Sequence, residues 1–532
     1  MTVLSSTVDA GSPQYAANRE SLLGLLAAHE AQLDLARAGG GERYTARHHQ
    51  RGRLLARQRI ELLVDLDTAF LELSPLAGFG TGFHVGASLV TGIGVVSGVE
   101  CVVIANDPTV RGGAINPHTL AKNLRALEIA RVNRLPVVTL VESGGADLPT
   151  QADLFIPAGQ IFRDLTALSA LGIPTIALVF GNSTAGGAYV PAMCDYAVLV
   201  DRQAKVFLGG PPLVKMATGE EADDEELGGA DMHARVSGLA DYFAADELDA
   251  IALGRQIVAD LHWRKLGPPP PGRPDPPRYD PDEILGVVPT DLRIPFDPRE
   301  VIARVVDGSR FDEYKARYGT SLVTGWASVH GWPVGILANA QGVLFMEESK
   351  KATEFILLAN QSDTPLVFLQ NTTGYMVGRQ YEQAGIIKDG AKMINAVTNS
   401  TVPHLTVMMG ASYGAGNYGM CGRAYGPRLV FAWPNAKVAV MGPQQLAGVL
   451  SIVARQSADA AGRPFDEAAD AAQRQAVEDQ IERESGALVM TGKLYDDGII
   501  DPRDTRTVLG IALSAVHANV VEGRRGFGVF RM

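Results

Sequence analysis

Two loops of small residues are the part of this chain best suited to chemistry. Residues 181–189 read Gly-Asn-Ser-Thr-Ala-Gly-Gly-Ala-Tyr, and residues 410–418 read Gly-Ala-Ser-Tyr-Gly-Ala-Gly-Asn-Tyr. Each loop follows an apolar run that predicts a buried strand and precedes a predicted helix, so its backbone N–H groups would lie where the helix dipole favours negative charge. Each loop could therefore hold an oxyanion, although glycines in such a place also permit close packing of a helix on a strand.

Other catalytic motifs are weak or missing. The segment 414–419 matches the dinucleotide pattern G-x-G-x-x-G, but residues 433–437 read Trp-Pro-Asn-Ala-Lys, where an acidic residue would be needed to hold a ribose. No phosphate loop and no G-x-S-x-G nucleophile motif occurs, and the histidines lack metal-ligand spacing. What remains is a metal-free reaction in which two oxyanion holes stabilise two developing negative charges.

The two loops lie in two copies of one sequence pattern. Ser-Leu-Val-Thr-Gly occurs at residues 88–92 and again at 321–325, and the strands and loops that follow recur with a constant spacing of 229 residues, as between Gly181 and Gly410. This register predicts a duplicated domain. Short apolar runs alternate with helical stretches in both copies, which favours an α/β fold with mainly parallel strands and with ligands at their carboxyl ends.

A proline-rich segment separates the two copies. Residues 267–277 read Gly-Pro-Pro-Pro-Pro-Gly-Arg-Pro-Asp-Pro-Pro, which is typical of a stiff linker. We therefore predict a first domain at residues 1–266 and a second at residues 278–532. Residues 20–66 have a helical pattern and predict an N-terminal helical extension.

Composition excludes several classes of function. The formal net charge of −12 over 532 residues argues against binding of nucleic acid, which needs clustered Lys and Arg. No apolar run approaches the roughly 18 residues that span a bilayer, and the first 20 residues lack a secretory or organelle-targeting pattern. Three scattered cysteines fit a reducing compartment. We expect a cytoplasmic protein without a membrane or nucleic-acid partner.

From about residue 20 to its end, the chain resembles the carboxyltransferase (beta) subunits of biotin-dependent acyl-CoA carboxylases, and most closely their methylcrotonyl-CoA carboxylase branch. The motifs that carry this resemblance are Asn-Asp-Pro-Thr-Val-Arg-Gly-Gly (106–113), Glu-Ser-Gly-Gly-Ala (142–146), Thr-Ala-Gly-Gly-Ala-Tyr-Val-Pro-Ala-Met (184–193), Gly-Pro-Pro-Leu-Val-Lys (210–215), Asn-Thr-Thr-Gly-Tyr-Met-Val-Gly-Arg (371–379), residues 412–423 and Asp-Asp-Gly-Ile-Ile-Asp-Pro (496–502). The resemblance implies two crotonase-like domains, the first binding acyl-CoA and the second carboxybiotin.

The resemblance also implies roles for particular residues. The amides that stabilise the reacting oxygens would be those of Gly186 and Gly187 for acyl-CoA, and those of Ala415 and Gly416 for biotin. Further residues would line the two sites: Gly144, Gly145, Ala146 and Ala188 for acyl-CoA, and Gly374, Tyr375, Gly414 and Tyr418 for biotin. No general-base side chain would be required, because the biotin nitrogen takes the proton from acyl-CoA.

The resemblance places biotin on another chain. The sequence has no Ala-Met-Lys-Met biotin-attachment motif and no ATP-binding features. A biotinylated alpha subunit, with biotin carboxylase and carrier parts, is therefore implied. It would join a ring-like beta hexamer in an alpha6beta6 complex, in which the first domain of one chain faces the second domain of its neighbour.

The acyl group and the direction of the reaction stay open. Ile115 follows Ala114 and Asp147 follows Ala146 at positions where the methylcrotonyl branch carries aromatic residues, so a longer branched or terpenoid acyl-CoA is an alternative to 3-methylcrotonyl-CoA. Tyr418 stands where propionyl-type relatives carry Asp. Alternative functions are the carboxyltransferase subunit of a biotin-dependent decarboxylase, a non-catalytic beta subunit in a mixed complex, and a crotonase-type hydratase.

Overall fold

A computed structural model describes residues 2–526 and 528–532 of the chain. Helices and strands alternate throughout these residues. The elements up to residue 260 are β1 (Thr2–Val3), α1 (Pro13–Arg37), α2 (Glu42–Gln50), α3 (Ala56–Leu63), β2 (Leu71–Leu73), β3 (Leu89–Val96), β4 (Val99–Asn106), α4 (Pro117–Asn133), β5 (Val137–Ser143), α5 (Gln151–Ala170), β6 (Thr175–Thr184), α6 (Tyr189–Met193), β7 (Tyr196–Val200), β8 (Lys205–Phe207), α7 (Pro211–Thr218), α8 (Asp224–Gly228), α9 (Ala230–Met232), β9 (Tyr242–Ala244) and α10 (Glu247–Asp260).

The second half repeats this order with longer helices near its end. Its elements are α11 (Ile284–Val287), α12 (Pro298–Val305), β10 (Arg310–Glu313), β11 (Leu322–Val329), β12 (Trp332–Asn339), β13 (Val343–Leu344), α13 (Met346–Gln361), β14 (Leu366–Thr372), β15 (Gly374–Tyr375), α14 (Arg379–Ala384), α15 (Ile386–Asn399), β16 (His404–Tyr413), α16 (Gly414–Gly419), β17 (Leu429–Ala432), β18 (Lys437–Ala439), α17 (Pro443–Ala460), α18 (Glu467–Ser485), α19 (Ala487–Gly492) and α20 (Thr505–Val516).

Two large sheets form the frame, and six equivalent strands follow the same order in both; the first sheet adds β9 beside β7, and the second adds β1 beside β10. The first runs β2-β3-β4-β5-β6-β7-β9 and the second β1-β10-β11-β12-β14-β16-β17, while β8 pairs with β6 and β18 with β16. The pairs from β4 to β7 and from β12 to β17 are parallel. The register shifts between β5 and β6 and between β14 and β16, at the residues of β6 and β16 where the two glycine loops begin. The predicted α/β duplication is confirmed.

The repeated Ser-Leu-Val-Thr-Gly motif has a structural role in both halves. Its serine hydroxyls, those of Ser88 and Ser321, donate to the carbonyl oxygens of Ala114 and Val343 at 2.6 and 2.8 Å. These bonds fasten the start of β3 and β11 to the loop that precedes α4 and to β13. The motif that reveals the duplication therefore positions strands, and it is not itself a site.

The glycine of the repeated motif leaves room for an aromatic ring that packs against it. A Cβ at Gly92 would collide with the ring of Phe70, and a Cβ at Gly325 with the ring of Phe311. A ring from the preceding strand segment thus lies directly over the same strand position in each half.

The N-terminal extension is three helices rather than one continuous helical stretch. Gly39 and Gly41, between α1 and α2, have φ of 54° and 88°, a left-handed conformation that suits glycine and interrupts a helix. The extension also reaches the second half, because β1 pairs antiparallel with β10, and Asn18 donates to the carbonyl oxygen of Gly286 at 2.9 Å. The predicted linker at 267–277 contains no helix or strand, and the domain boundary there stays a prediction.

A buried ion cluster joins the two halves. Arg125 of α4 donates through Nε and Nη2 to the two carboxylate oxygens of Asp497, at 2.7 and 2.8 Å. Arg423 and the backbone N–H of Val430 reach the same carboxylate at 3.2 and 2.8 Å. Asp497 is fully buried, and these partners hold its pKa below the usual range against the effect of burial. The cluster fixes α4 of the first half against the loops of the second.

Loss of the Asp497 carboxylate should destabilise the fold strongly. In Asp497→Asn the buried guanidinium of Arg125 loses its buried counter-charge, and we expect the free energy of unfolding to fall by about 3–5 kcal/mol. Glu128→Gln is the matched control, because its carboxylate pairs with the same arginine but is 44% exposed, and it should cost less than about 1 kcal/mol. Urea denaturation measures both variants, and equal losses would contradict this assignment.

The neighbouring Asp496 should make stability depend on pH. Its side chain is fully buried, and burial raises its pKa from 3.8 to about 7. A carboxyl group whose pKa is higher in the folded state stabilises the protein when protonated. Its contribution is complete below the unfolded-state pKa and is lost as the pH rises toward about 7. Thermal denaturation between pH 4 and 7 should show this decline in the wild type, whereas Asp496→Asn should flatten it.

Candidate active site

The first glycine loop turns directly from a strand into a helical turn. β6 ends at Thr184, and Ala185 then takes φ of 54°, so that residues 185–188 form a 3-10 helix. The first N–H groups of a helix have no partner within it. In the described chain, the N–H groups of Gly186 and Gly187 also make no hydrogen bond outside this turn. Both remain available as donors.

The side-chain space at these two glycines is open. A Cβ built on Gly186 would meet only the ring of Phe162, at 3.6 Å, and one on Gly187 only the hydroxyl of Ser183, at 3.9 Å. Neither position is closed by packing, so glycine keeps free a volume that a side chain would fill. These are the properties expected of an oxyanion hole.

The loop after β5 lies beside the first cradle, which we define as residues 185–188 with residues 144–146. A Cβ on Gly145 would be 3.2 Å from the carbonyl oxygen of Thr184. The N–H of Gly144 already donates to the carbonyl of Gly112 at 2.9 Å, and the N–H of Gly145 to the hydroxyl of Ser143 at 3.2 Å. These two glycines can line the cradle but do not donate into it. Ala146 is exposed at its rim.

An apolar groove of about 590 Å³ opens beside the first cradle. Ala188, which is buried, forms one wall of the groove, and β8 and α7 form the others. Its remaining lining residues are Tyr189, Ala192, Val206, Phe207, Leu208, Gly209, Leu213, Val214, Ala217, Thr218, Leu227, His233 and Leu239. Such a lining suits a hydrocarbon chain.

The second glycine loop has the same backbone geometry. β16 ends at Tyr413, and Gly414 takes φ of 53° at the position equivalent to Ala185. Ala415 is exposed and Gly416 is buried, both in the first turn of α16. A Cβ on Gly416 would lie 2.6 Å from Thr372 Oγ1, so glycine is required there by packing and not to leave room for a ligand.

The other residues predicted for biotin lie around this loop, and we define the second cradle as residues 414–416 with Gly374. A Cβ on Gly374 would meet only the carbonyl oxygen of Tyr413, at 3.8 Å, so the cradle is open there. Tyr418 is exposed beside Tyr425. Tyr375 instead directs its hydroxyl inward to the sulfur of Met393, at 3.6 Å, and burial raises its pKa, so the phenol stays protonated.

A charged network behind the first cradle was not predicted. Glu142, the residue before Ser143, accepts from Arg53 at 2.5 Å and from Arg59 at 2.7 Å. Arg59 is fully buried and also binds Glu247 at 2.8 Å. The equivalent residue of the second half is Asn371, whose amide oxygen accepts the N–H of Ala411 at 3.1 Å. Because the repeat has a constant spacing of 229 residues, Glu142 and Asn371 occupy equivalent positions. Comparing them could have revealed that only the first half has a charged residue there.

Residues 2–526 and 528–532 contain no group of three or more His, Cys, Asp or Glu side chains arranged to hold a metal ion. None of the helices in the same ranges has both the length and the apolar character that crossing a bilayer requires.

Comparison with known proteins identifies the family. Residues 47–528 match the carboxyl transferase domain, and the chain belongs to this family. It is 67% identical over 530 residues, with 100% of both chains covered, to the probable biotin-dependent acyl-coenzyme A carboxylase beta2 subunit of Mycobacterium tuberculosis. It is 50% identical to the biotin-dependent 3-methylcrotonyl-coenzyme A carboxylase beta1 subunit of the same organism, covering 96% of this chain and 97% of the relative.

A solved structure supports the same assignment. The beta subunit of P. aeruginosa geranyl-CoA carboxylase superimposes with a TM-score of 0.89 at 42% identity, with 100% of both chains covered. The resemblance to beta subunits of biotin-dependent carboxylases and the crotonase-like fold are confirmed. The roles of the individual site residues stay predictions.

The two loops should differ in their tolerance of a methyl group. Gly416→Ala should lower the melting temperature, because the new Cβ would be forced against Thr372. Gly187→Ala should leave it within about 2 °C of the wild type, because its Cβ would make only ordinary contacts. Differential scanning calorimetry compares the two variants, and a stable Gly416→Ala protein would contradict the packing argument.

Proposed function

We propose that this chain is the carboxyltransferase subunit of a biotin-dependent acyl-CoA carboxylase. The proposal rests on one observation: two loops with the same left-handed turn, at Ala185 and Gly414, present first-turn amides at the ends of equivalent strands. The family and its relatives supply the reaction class. Two such cradles suit a reaction in which one oxygen on each of two substrates gains negative charge.

The first cradle would bind the thioester of acyl-CoA. The N–H groups of Gly186 and Gly187 would donate to the thioester oxygen and stabilise the enolate that forms when the substrate loses a proton. The acyl chain would enter the apolar groove beside Ala188, whose volume of about 590 Å³ suits 3-methylcrotonyl-CoA or a longer branched acyl-CoA. Gly144, Gly145 and Ala146 would shape the wall opposite.

The second cradle would bind the ureido group of carboxybiotin. The free side-chain space at Gly374 and the exposed residue Ala415 would suit a planar polar group, and Gly416 would add a second amide from its buried position. When bound, carboxybiotin supplies the CO2, and its ureido group supplies the base for the substrate proton. The residues of this chain orient the oxygen and stabilise its charge, while Tyr418 borders the entrance.

Carboxybiotin would arrive on a biotinylated alpha subunit, and the beta subunits would form a hexamer within an alpha6beta6 complex in the cytoplasm. Large apolar side chains are exposed in the monomer near both cradles: Phe155 and Ile156 on α5, at 79% and 77%, and Val440 before α17, at 81%. Apolar surfaces of this kind mark subunit interfaces.

Blocking the first cradle tests the proposal. Gly187→Val, assayed with the copurifying biotinylated subunit, ATP, bicarbonate and a panel of acyl-CoAs, should lower kcat by at least about 100-fold, because an isopropyl group would exclude the thioester oxygen. The hexamer and its melting temperature should not change. Gly24→Val on α1 is the matched control, since its Cβ would also meet no neighbour within 4 Å.

The outcomes separate the candidate functions. Undiminished carboxylation by Gly187→Val would refute the role of the first cradle. No carboxylation of any acyl-CoA by the wild type would refute the proposed function. Release of CO2 from carboxyacyl-CoA in its place would assign the decarboxylase direction.

A further inference from the structure

Glu142 lies at the point where the pairing of β5 with β6 is interrupted. The register of the two strands shifts between Val141 and Ser143, and Glu142 is the residue between them. Its side chain is buried and lies against the backbone of β6, because a Cβ built on Gly181 would be 2.6 Å from its carboxylate oxygen. The carboxylate therefore fills the interruption, immediately before the loops that form the first cradle.

A short path of contacts connects this interruption to the cradle. Ser143 pairs with Ser183, and the hydroxyl of Ser183 donates to the carbonyl oxygen of Gly187 at 2.9 Å. On β5, the hydroxyl of Ser143 accepts the N–H of Gly145 at 3.2 Å. A displacement of Glu142 would therefore be transmitted to both loops of the cradle.

Two arginines of the N-terminal extension fix the Glu142 carboxylate. Arg53 and Arg59 donate to its two oxygens at 2.5 and 2.7 Å. The guanidinium carbon of the fully buried Arg59 also lies 4.3 Å from the centre of the Phe180 ring on β6. Hydrogen bonds between charged groups are shorter and stronger than those between neutral groups. The extension thus restrains both strands that lead into the first cradle.

The second half fills the equivalent interruption without a charge. Asn371 lies at the register shift between β14 and β16, and its amide oxygen accepts the N–H of Ala411 at 3.1 Å. A Cβ on Gly410 would be 2.6 Å from the same oxygen, as it would be from the carboxylate at Gly181. A neutral side chain therefore suffices to hold this strand junction, and the fold alone does not explain the charged network of the first half.

The buried arginine is also confined to the first half. Asp65 and Asp307, just beyond α3 and α12, each accept the two N–H groups of a hairpin turn, which sets the two helices 242 residues apart, counted from Asp65 to Asp307. At that spacing, Val301 stands in place of Arg59. Buried ion pairs add little net stability compared with apolar packing of the same volume. The charges therefore point to a role on the side of the molecule that carries the first cradle.

We propose that Glu142 is a positioning residue for the acyl-CoA side of the reaction. Its carboxylate, fixed by the two arginines, holds the N–H groups of Gly186 and Gly187 in line with the thioester oxygen. This inference rests on the proposed function, because it requires the thioester to occupy the first cradle. Oxyanion donors act only while they are aimed at the developing charge, and a misplacement of about 1 Å can lower the rate about 100-fold.

Infrared spectroscopy of a bound thioester tests this positioning. 3-Methylcrotonyl-CoA labelled with carbon-13 at the thioester carbonyl would be bound to the full chain, and the donors of the first cradle should move the carbonyl band to lower frequency. Glu142→Gln should lose at least about half of this displacement, because the donors would no longer be held in line. Glu247→Gln should keep it. Glu247 is similarly buried and binds the same Arg59, but it lies on α10, outside both loops of the cradle.

Turnover by the complex with the copurifying biotinylated subunit gives a second readout. At saturating acyl-CoA and well below its melting temperature, Glu142→Gln should lower kcat by at least about tenfold. Glu247→Gln should lower the melting temperature without this loss of kcat. Arg53→Gln should also lower kcat, and because this side chain is 23% exposed, the fold tolerates its loss more easily. Arg53→Lys should recover part of the rate, since it keeps the charge but not the planar fork.

The outcomes separate this inference from the proposed function. A full band displacement and wild-type kcat in both Glu142→Gln and Arg53→Gln would overturn the inference and leave the proposed function intact. Equal losses in Glu142→Gln and Glu247→Gln would also overturn it, since the network would then act on the fold as a whole. A wild-type chain that shows neither the band displacement nor carboxylation would refute the proposed function itself.

Discussion

The turn from strand to helix at the two cradles is the constraint on which the site depends. Ala185 and Gly414 adopt left-handed conformations of 54° and 53° at equivalent places, although only one of them is glycine. This single dihedral ends the strand and directs the following amides toward open space. The sheets, the buried repeat motif and the Arg125–Asp497 cluster hold the surrounding frame rigid enough to keep that conformation. Preorganised donors of this kind need no rearrangement when charge develops on a bound oxygen.

The duplication, the α/β fold and the two loops could be predicted from the sequence, because each produces a recognisable pattern of residue types or spacing. Small residues after an apolar run mark a loop at a strand end, and a constant spacing marks a repeat. The sequence could not show that Gly187 faces open space while Gly416 faces Thr372, since that distinction depends on a neighbouring strand. The pairing of β1 with β10 and the bond between Arg125 and Asp497 escaped prediction for the same reason: they join residues more than 300 positions apart.

The two halves share the same strand framework but differ in the charged residues around their cradles. Glu142, held by Arg53 and Arg59, stands where the second half has Asn371, and Arg111 stands where it has Ala340. Neither change alters the strand register, since β5 and β14 pair in the same way with their neighbours. Duplication thus supplied two cradles with one geometry, and substitutions around them made their surroundings electrostatically distinct.

The pairing of β1 with β10 has a consequence for how the polypeptide matures. Thr2 and Val3 leave the ribosome about three hundred residues before their partners, Phe311 and Arg310. The edge of the second sheet therefore stays unfinished until residues 310 and 311 have been synthesised, and residues 2 and 3 remain unpaired until then. At this edge, the strand that is synthesised first cannot pair until its partner strand has been synthesised.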